Sequence, residues 1–73
     1  MENDGADIGG NLKKLRQKKY GTQDEFSTAS ECSREYINKL ESNKSDPSLT
    51  TLRKLAASLD MPTHELVKIL LNE

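Results

Sequence analysis

Apolar residues recur three or four positions apart along most of this 73-residue chain, and turn-forming residues interrupt the recurrence at short intervals. The strongest such stripe consists of Leu49, Leu52, Leu55, Ala56 and Leu59. This spacing puts the apolar side chains on one face of an α-helix, and no segment has the alternating pattern of a β-strand. A chain this short can form only one small core. The sequence therefore predicts a single compact all-α domain of about five short helices.

The first helix is predicted from an apolar stripe that steps by four and then three residues and consists of Ile8, Leu12 and Leu15. Gly9 and Gly10 weaken helix formation at its start, so we expect the helix to begin nearer Asn11. The polar, acidic residues before it are expected to form a flexible tail over 1–7, and the domain is expected to span 8–71.

The second helix is predicted from a start signal. Thr22 and Glu25 have the spacing of a capping box, in which each residue bonds the backbone of the other. This signal places the helix at about residues 23–30. Phe26 and Ala29 are its expected inward pair.

The third helix is predicted to follow Ser33, a good N-terminal cap, and to end near Ser42. Ile37 and Leu40 are the residues placed to anchor it to the core. Its other side chains are then held outward and include Arg34, Glu35, Asn38 and Lys39. A short helix with so polar an outer face raises the question of what that face contacts.

A fifth helix is predicted over 63–71, and its core-facing residues are Leu66, Ile69 and Leu70. Val67 and Leu71 then fall on another side, and a helix that is apolar on two sides indicates a second buried surface. We predict that this surface, with Val67, Leu70 and Leu71, forms a homodimer interface. The alternatives are a frayed terminal helix and a chain that lacks a following partner segment.

The charge of the chain is unevenly distributed. Residues 1–9 carry three acids, residues 10–54 carry ten Lys/Arg and six Asp/Glu for a net +4, and residues 55–73 carry one Lys and three acids for a net −2. A basic middle can favour a polyanionic partner, because surface fields follow local charge. Taken alone, however, the charge pattern favours an ordinary solvated surface.

Several classes of function are disfavoured by the composition. Cys32 is the only cysteine, so no intrachain disulfide can form, which fits a cytoplasmic protein. No apolar run approaches the roughly 18 residues of a membrane span, so we expect no membrane partner. A single histidine, His64, far from Cys32, supports neither a nucleophile–base pair nor a zinc site. We expect no enzyme activity, metal, cofactor or small-molecule ligand.

Four segments at fixed spacing carry a resemblance to a known family. They are Leu12-x-x-Leu15-Arg16, Thr22-Gln23-x-x-Phe26-Ser27, Cys32-Ser33-x-x-x-Ile37-x-x-Leu40-Glu41 and Pro47-Ser48-Leu49-x-Thr51-Leu52-x-Lys54-Leu55-Ala56. With these segments the chain resembles the Cro/cI-type helix-turn-helix family, the XRE-like or lambda-repressor-like DNA-binding domains. The resemblance covers about residues 8–70. It implies a five-helix lambda-repressor-like fold whose helices 2 and 3 form the helix-turn-helix.

The resemblance also implies a set of DNA contacts, because in this family the third helix enters the major groove while the second crosses the phosphate backbone. The implied base-contacting residues are Ser33, Arg34, Glu35, Asn38 and Lys39. The implied phosphate-contacting residues are Gln23, Tyr36, Asn43 and Lys44. Tyr36 could instead pack over the edge of the third helix.

Two further residues have structural roles by resemblance. Glu41 is expected to form an ion pair with Arg16 of the first helix. Glu31 stands where the family often has glycine, in the turn between helices 2 and 3. If that turn requires positive φ, Glu31 costs about 1 kcal/mol.

The function implied by the resemblance is that of a sequence-specific transcriptional regulator. Such a protein would bind double-stranded DNA, as a homodimer on a pseudo-palindromic operator and without a cofactor. The alternative is a protein–protein interaction module on the same scaffold, such as an antitoxin or the partner of a regulator. The acidic Glu35 on the outer face and the negative net charge favour this alternative.

Overall fold

The computed structural model of the protein describes residues 6–73 and contains five α-helices within them. They are α1 (Ile8–Lys19), α2 (Gln23–Ser30), α3 (Arg34–Glu41), α4 (Leu49–Ser58) and α5 (Thr63–Leu70). The predicted all-α, five-helix fold is therefore confirmed. Residues 1–5, which make up most of the predicted tail, lie outside the described part of the chain.

A single core holds the helices together. Its buried side chains are Leu12, Phe26, Ile37, Leu40, Leu55, Ala56, Leu66 and Leu70. The helices α2 and α3 pack on each other, while α1 packs on α3 and α5, and α4 packs on α2 and α5. Every helix thus has at least two neighbours, and α3 lies at one side of the domain with its outer face free for contacts.

Side-chain caps define the starts of the two helices that form the helix-turn-helix. The Thr22 hydroxyl accepts a 3.1 Å hydrogen bond from the Glu25 backbone N–H, and the Glu25 carboxylate accepts one from the Thr22 backbone N–H. At the start of α3, the Ser33 hydroxyl accepts from the Tyr36 backbone N–H at 3.1 Å. Both predicted caps are confirmed, so the direction of α3 is fixed from its first turn.

Two residues predicted to face the core lie on the surface instead. Ala29 is exposed, because α2 buries the small Ser30 beside Phe26, and the Ser30 hydroxyl donates to the Phe26 carbonyl at 2.7 Å. Leu49 is 69% exposed, because it begins α4 beyond the edge of the core, and Thr51 occupies the buried position. In both places a residue with a hydroxyl group, and not the predicted apolar residue, is buried. This is possible because a neighbouring polar group forms a hydrogen bond with the hydroxyl.

The turn between α2 and α3 contains a left-handed residue, at the position where the resembled family often has glycine. Glu31 has φ 60° and ψ 34°, and the next residue, Cys32, donates its backbone N–H to the Ser27 carbonyl at 3.1 Å. A residue with a Cβ atom is strained in this conformation, whereas glycine is not.

Substitution Glu31→Gly should therefore raise the free energy of unfolding by about 1 kcal/mol. The Glu31 side chain is exposed, so its removal loses little packing. Glu31→Ala is the matched control, since it removes the same carboxylate but keeps the Cβ atom, and it should leave stability unchanged. Urea denaturation of the three proteins measures the difference. Equal stabilities for the glycine and alanine variants would contradict the assigned strain.

The start of α1 differs from the sequence-based expectation in two ways. The helix begins at Ile8, not near Asn11, and Asp7, assigned to the tail, is its cap. The Asp7 carboxylate accepts a 2.7 Å bond from the Asn43 amide and a 2.8 Å bond from the Gly10 backbone N–H, and these bonds lower its pKa from the ordinary value of an aspartate. Because the pKa is lowered, this cap is fully formed at neutral pH and is lost only as the pH falls through that lowered value.

A buried ion pair joins α1 to the end of α3. The Arg16 guanidinium donates to both carboxylate oxygens of Glu41, at 2.6 Å through Nε and 3.2 Å through Nη2. The two side chains are only 5% and 3% exposed. The predicted ion pair is confirmed, and its planar two-point geometry fixes where α3 ends relative to α1.

Candidate nucleic-acid interface

The outer face of α3 is held rigidly because the inner face is fully anchored. Ile37 and Leu40 are 0% and 2% exposed. The residues of α3 that project outward are Arg34, Glu35, Asn38 and Lys39, all exposed. Ser33 precedes them and is also exposed; its hydroxyl oxygen accepts the capping hydrogen bond, and its proton can be donated to a partner.

A shallow depression brings most of the predicted nucleic-acid contacts together. It is lined by Gln23, Arg34, Glu35, Asn38, Lys39 and Lys44. Three of these side chains are cationic and one is anionic, so the depression is net basic although the whole chain is not. A basic depression on a rigid helix suits a polyanion that also carries hydrogen-bonding groups.

Arg34 is paired within the free protein. Its Nε atom lies 3.3 Å from Oδ1 of Asp24 on α2, and the two side chains are 65% and 75% exposed. A pair this exposed contributes at most about 1 kcal/mol, so a base or phosphate can replace Asp24 at little cost. Sequence reasoning missed Asp24, since only the packing of α2 on α3 brings it beside Arg34.

Gln23 connects the buried ion pair to this surface. Its Nε2 amide donates to the Glu41 carboxylate at 3.0 Å, and its Oε1 oxygen accepts from the Asn38 amide at 3.3 Å. Glu41 therefore receives hydrogen bonds from Arg16 and Gln23 together. A polar chain runs from the core of the domain to the outer face of α3.

Comparison with known proteins assigns these elements to a family. A family model described as helix-turn-helix matches residues 12–66, which is more than half of the chain and includes the whole of α2 and α3. The chain belongs to the helix-turn-helix family. The resemblance drawn from the four sequence segments is thereby confirmed.

One regulator sequence and one solved structure are similar to this helix-turn-helix chain. An HTH-type transcriptional regulator of Sinorhizobium fredii, y4dJ, is 37% identical over 60 residues, which are 82% of this chain and 78% of that protein. The crystal structure of the restriction-modification controller protein C.AhdI from Aeromonas hydrophila matches with a TM-score of 0.77 and 31% identity. That match covers 89% of this chain and 98% of the controller protein. The lambda-repressor-like fold predicted from the sequence is thus shared with a solved member of the family.

Like Gln23, the predicted phosphate-contacting residues Asn43 and Tyr36 have partners inside the domain. The Asn43 side chain accepts from the Gly9 backbone N–H at 2.8 Å and donates to Asp7, so it ties α1 to the end of α3. These bonds engage the Asn43 side chain in the free protein, and its contact with phosphate stays a prediction. Tyr36 is half-buried, and its hydroxyl lies 3.3 Å from that of Thr51, which supports the packing alternative.

The three residues of the predicted dimer surface differ in exposure. Leu70 is 3% exposed and belongs to the core, so only its edge reaches this surface. Val67 and Leu71 remain half-buried at a mostly apolar groove. The other residues that line this groove are Ile8, Asp46, Pro47, Leu52 and the edge of Leu70.

Within residues 6–73, no group of three or more His, Cys, Asp or Glu side chains is arranged to hold a metal ion. No helix in this part of the chain is long and apolar enough to cross a membrane.

Proposed function

We propose that the protein is a sequence-specific transcriptional regulator that binds double-stranded DNA with α3 in the major groove. The observation that carries this proposal is the basic depression on α3, in which Arg34, Asn38 and Lys39 project together from a helix anchored on its other side. The family match and the regulator among its relatives support the same function. The site of action would be the cytoplasm, at the DNA.

The side chains of the depression divide into two roles. Arg34 and Lys39 carry donors that suit the O6 and N7 acceptors of guanine, while Glu35 can accept from the N4 amine of cytosine. Glu35 repels phosphates, so it would improve discrimination more than affinity. Lys44 lies beyond the end of α3 and suits a phosphate, as do the backbone N–H groups at the start of α2.

Substitution Arg34→Ala should weaken binding to the best duplex site by about 1–3 kcal/mol and relax the base preference at one position. The physical reason is the loss of a bidentate contact with a base edge. Lys44→Ala is the matched control, because it also removes one cation but is expected to weaken binding to all sequences about equally. Fluorescence anisotropy with a series of single-base variants of the site measures both effects. Unchanged affinity and preference in Arg34→Ala would contradict the placement of α3.

We further propose that the regulator is a homodimer joined along the apolar groove of α5. The support is the partial exposure of Val67 and Leu71 next to Ile8 and Leu52, in a domain whose core is already complete without them. A two-fold dimer would set two copies of α3 about 34 Å apart and would read a pseudo-palindrome.

Substitution Leu71→Asp should shift the protein towards monomer in sedimentation experiments and reduce its affinity for a palindromic site. A buried carboxylate without a partner opposes association, because it must lose its hydration. The control Ala57→Asp places the same charge on the exposed side of α4, away from the groove, and should leave the dimer intact. A monomeric wild type would remove this part of the proposal.

A protein-interaction module is the second candidate, and one observation favours it. Leu49 is the large apolar side chain most exposed among residues 6–73, and it lies near the chain segment that borders the apolar groove. Salt dependence separates the candidates, because binding through several phosphates weakens steeply between low and physiological salt. Titration of a mixed-sequence duplex at two salt concentrations should show that loss. No binding at either concentration would favour the interaction module.

A further inference from the structure

Three polar side chains link the core to the outer face of α3 through hydrogen bonds, and each of these bonds has a fixed donor and a fixed acceptor. The series begins at Glu41, whose carboxylate oxygens accept from Arg16 in the buried ion pair. It continues through Gln23 at 3.0 Å and ends at Asn38 at 3.3 Å, on the exposed face. Each amide has one end that donates and one that accepts, so each link constrains the next.

The chemistry of Glu41 sets the direction of both amides. An arginine side chain stays charged, and the carboxylate paired with it has only acceptors to offer. Gln23 must therefore turn its Nε2 donors towards Glu41 and its Oε1 oxygen away. That oxygen can only accept, so Asn38 must in turn direct its Nδ2 group to Gln23 and leave its Oδ1 oxygen for an outside partner. The orientation of Asn38 is thus determined inside the domain.

This orientation selects among the bases that Asn38 can read. Nδ2 carries two hydrogens, and one remains available beside the outward Oδ1 oxygen when the other is donated to Gln23. An acceptor and a donor side by side match the N6 amine and the N7 atom of adenine in the major groove. Guanine and thymine offer acceptors at that edge, so they would leave the Asn38 oxygen without a donor.

We infer that Gln23 is a positioning residue which, held by Glu41, fixes the amide of Asn38 so that it selects adenine at one position of the binding site. The inference rests on the proposed function, since it requires α3 in the major groove. It also gives Gln23 a role beyond the phosphate contact expected from its place at the start of α2. A phosphate contact would affect all sequences alike, whereas positioning affects one base position.

The test uses selection of binding sites from random duplexes by the wild-type chain and three variants. Asn38→Ala identifies the base position that Asn38 reads, where the wild type should prefer adenine by about tenfold or more. Gln23→Met keeps the length of the side chain but removes the amide. It should lower the adenine preference at that same position to about threefold or less, because the Asn38 amide can then turn over. The preference at the position governed by Arg34 should be unchanged.

Gln23→Lys is expected to change the base preference, not only to reduce it. An unfolded variant could not give that result. Lysine still donates to Glu41, but it cannot accept from Asn38. The Oδ1 atom of Asn38 should then turn towards the lysine, and the Nδ2 group of Asn38 should face the groove. The preference at that position should shift from adenine to guanine or thymine, which present acceptors. Circular dichroism establishes that each variant is folded before selection.

The possible failures are distinguishable. Uniform weakening of all sequences by Gln23→Met and Gln23→Lys, with the adenine preference intact, overturns the positioning role and leaves the proposed function in place. A preference for another base at the position lost in Asn38→Ala also overturns it. A wild type that enriches no sequence overturns both the positioning role and the proposed function.

Discussion

Substitution Arg16→Met should lower the free energy of unfolding by about 3–5 kcal/mol, because it leaves the Glu41 carboxylate buried without its charged partner. Glu41 is 9% exposed as a residue, and its side chain lies beneath α1 and beside Gln23. A small domain has only about 5 kcal/mol of stability or slightly more, so this loss removes most of it and the variant should unfold at a much lower temperature. Thermal and urea denaturation followed by circular dichroism measure the loss.

A double variant separates the lost charge pairing from the lost packing. Arg16→Met combined with Glu41→Leu removes both charges and fills similar space, so it should recover most of the stability. Gln23 would lose its acceptor, and the double variant should then relax the adenine preference that we infer for Asn38. An Arg16→Met protein as stable as the wild type would contradict the burial and pairing assigned to Glu41.

Substitution Gly9→Ala should cost about 3 kcal/mol, at the upper end of the penalties for over-packing, because the added carbon would meet backbone atoms. A Cβ at this position lies 2.5 Å from the carbonyl oxygens of both Leu40 and Glu41. Backbone at the end of α3 cannot move aside without disturbing the Glu41 ion pair. The higher helix propensity of alanine, worth about 1 kcal/mol, does not offset such a contact.

The neighbouring glycine provides the control for this prediction. The atoms nearest to a Cβ at Gly10 belong to the Asp7 side chain, which can rotate away. Gly10→Ala should therefore change stability by less than about 1 kcal/mol, since the loss of the cap and the gain in helix propensity oppose each other. Equal effects of the two alanine variants in urea denaturation would show that α1 and α3 are not in close contact at Gly9.

Local signals in the sequence were sufficient to place the helix-turn-helix. The capping box at Thr22 and the cap at Ser33 involve residues three apart, so the bounds of α2 and α3 can be predicted from neighbouring residues alone. The anchoring of α3 by Ile37 and Leu40 follows from their spacing in the same way. The positive φ at Glu31 was anticipated only through the family's preference for glycine in that turn.

Long-range contacts explain what the sequence did not predict. Gly9 looked like a helix breaker, yet its role is to let α1 approach the end of α3, thirty-odd residues away along the chain. The family resemblance implies a phosphate contact for Asn43 but does not indicate its bonds with Asp7 and Gly9, which depend on how α1 packs on the end of α3. Helical periodicity places Leu70 near both the core and the predicted dimer surface, and only the packing of the helices determines that it is 3% exposed.

The candidate site also has some features that follow from helical spacing and others that depend on long-range packing. The identity of the outward residues of α3 follows from helical spacing, and the structure brings Arg34, Glu35, Asn38 and Lys39 into one depression as expected. The hydrogen bonds that orient them do not follow from spacing. The contacts of Gln23 with Glu41 and Asn38, and of Asp24 with Arg34, arise only when α2 lies against α3.

Chemical-shift mapping tests the central claim most directly. The ¹⁵N-labelled protein would be titrated with a duplex obtained by selection, and backbone and side-chain amide signals would be followed. Binding through the outer face of α3 predicts the largest changes at residues 34–39 and at Lys44, with little change on the groove side of α5. Silence at those residues, together with a response elsewhere in the domain, would contradict the account.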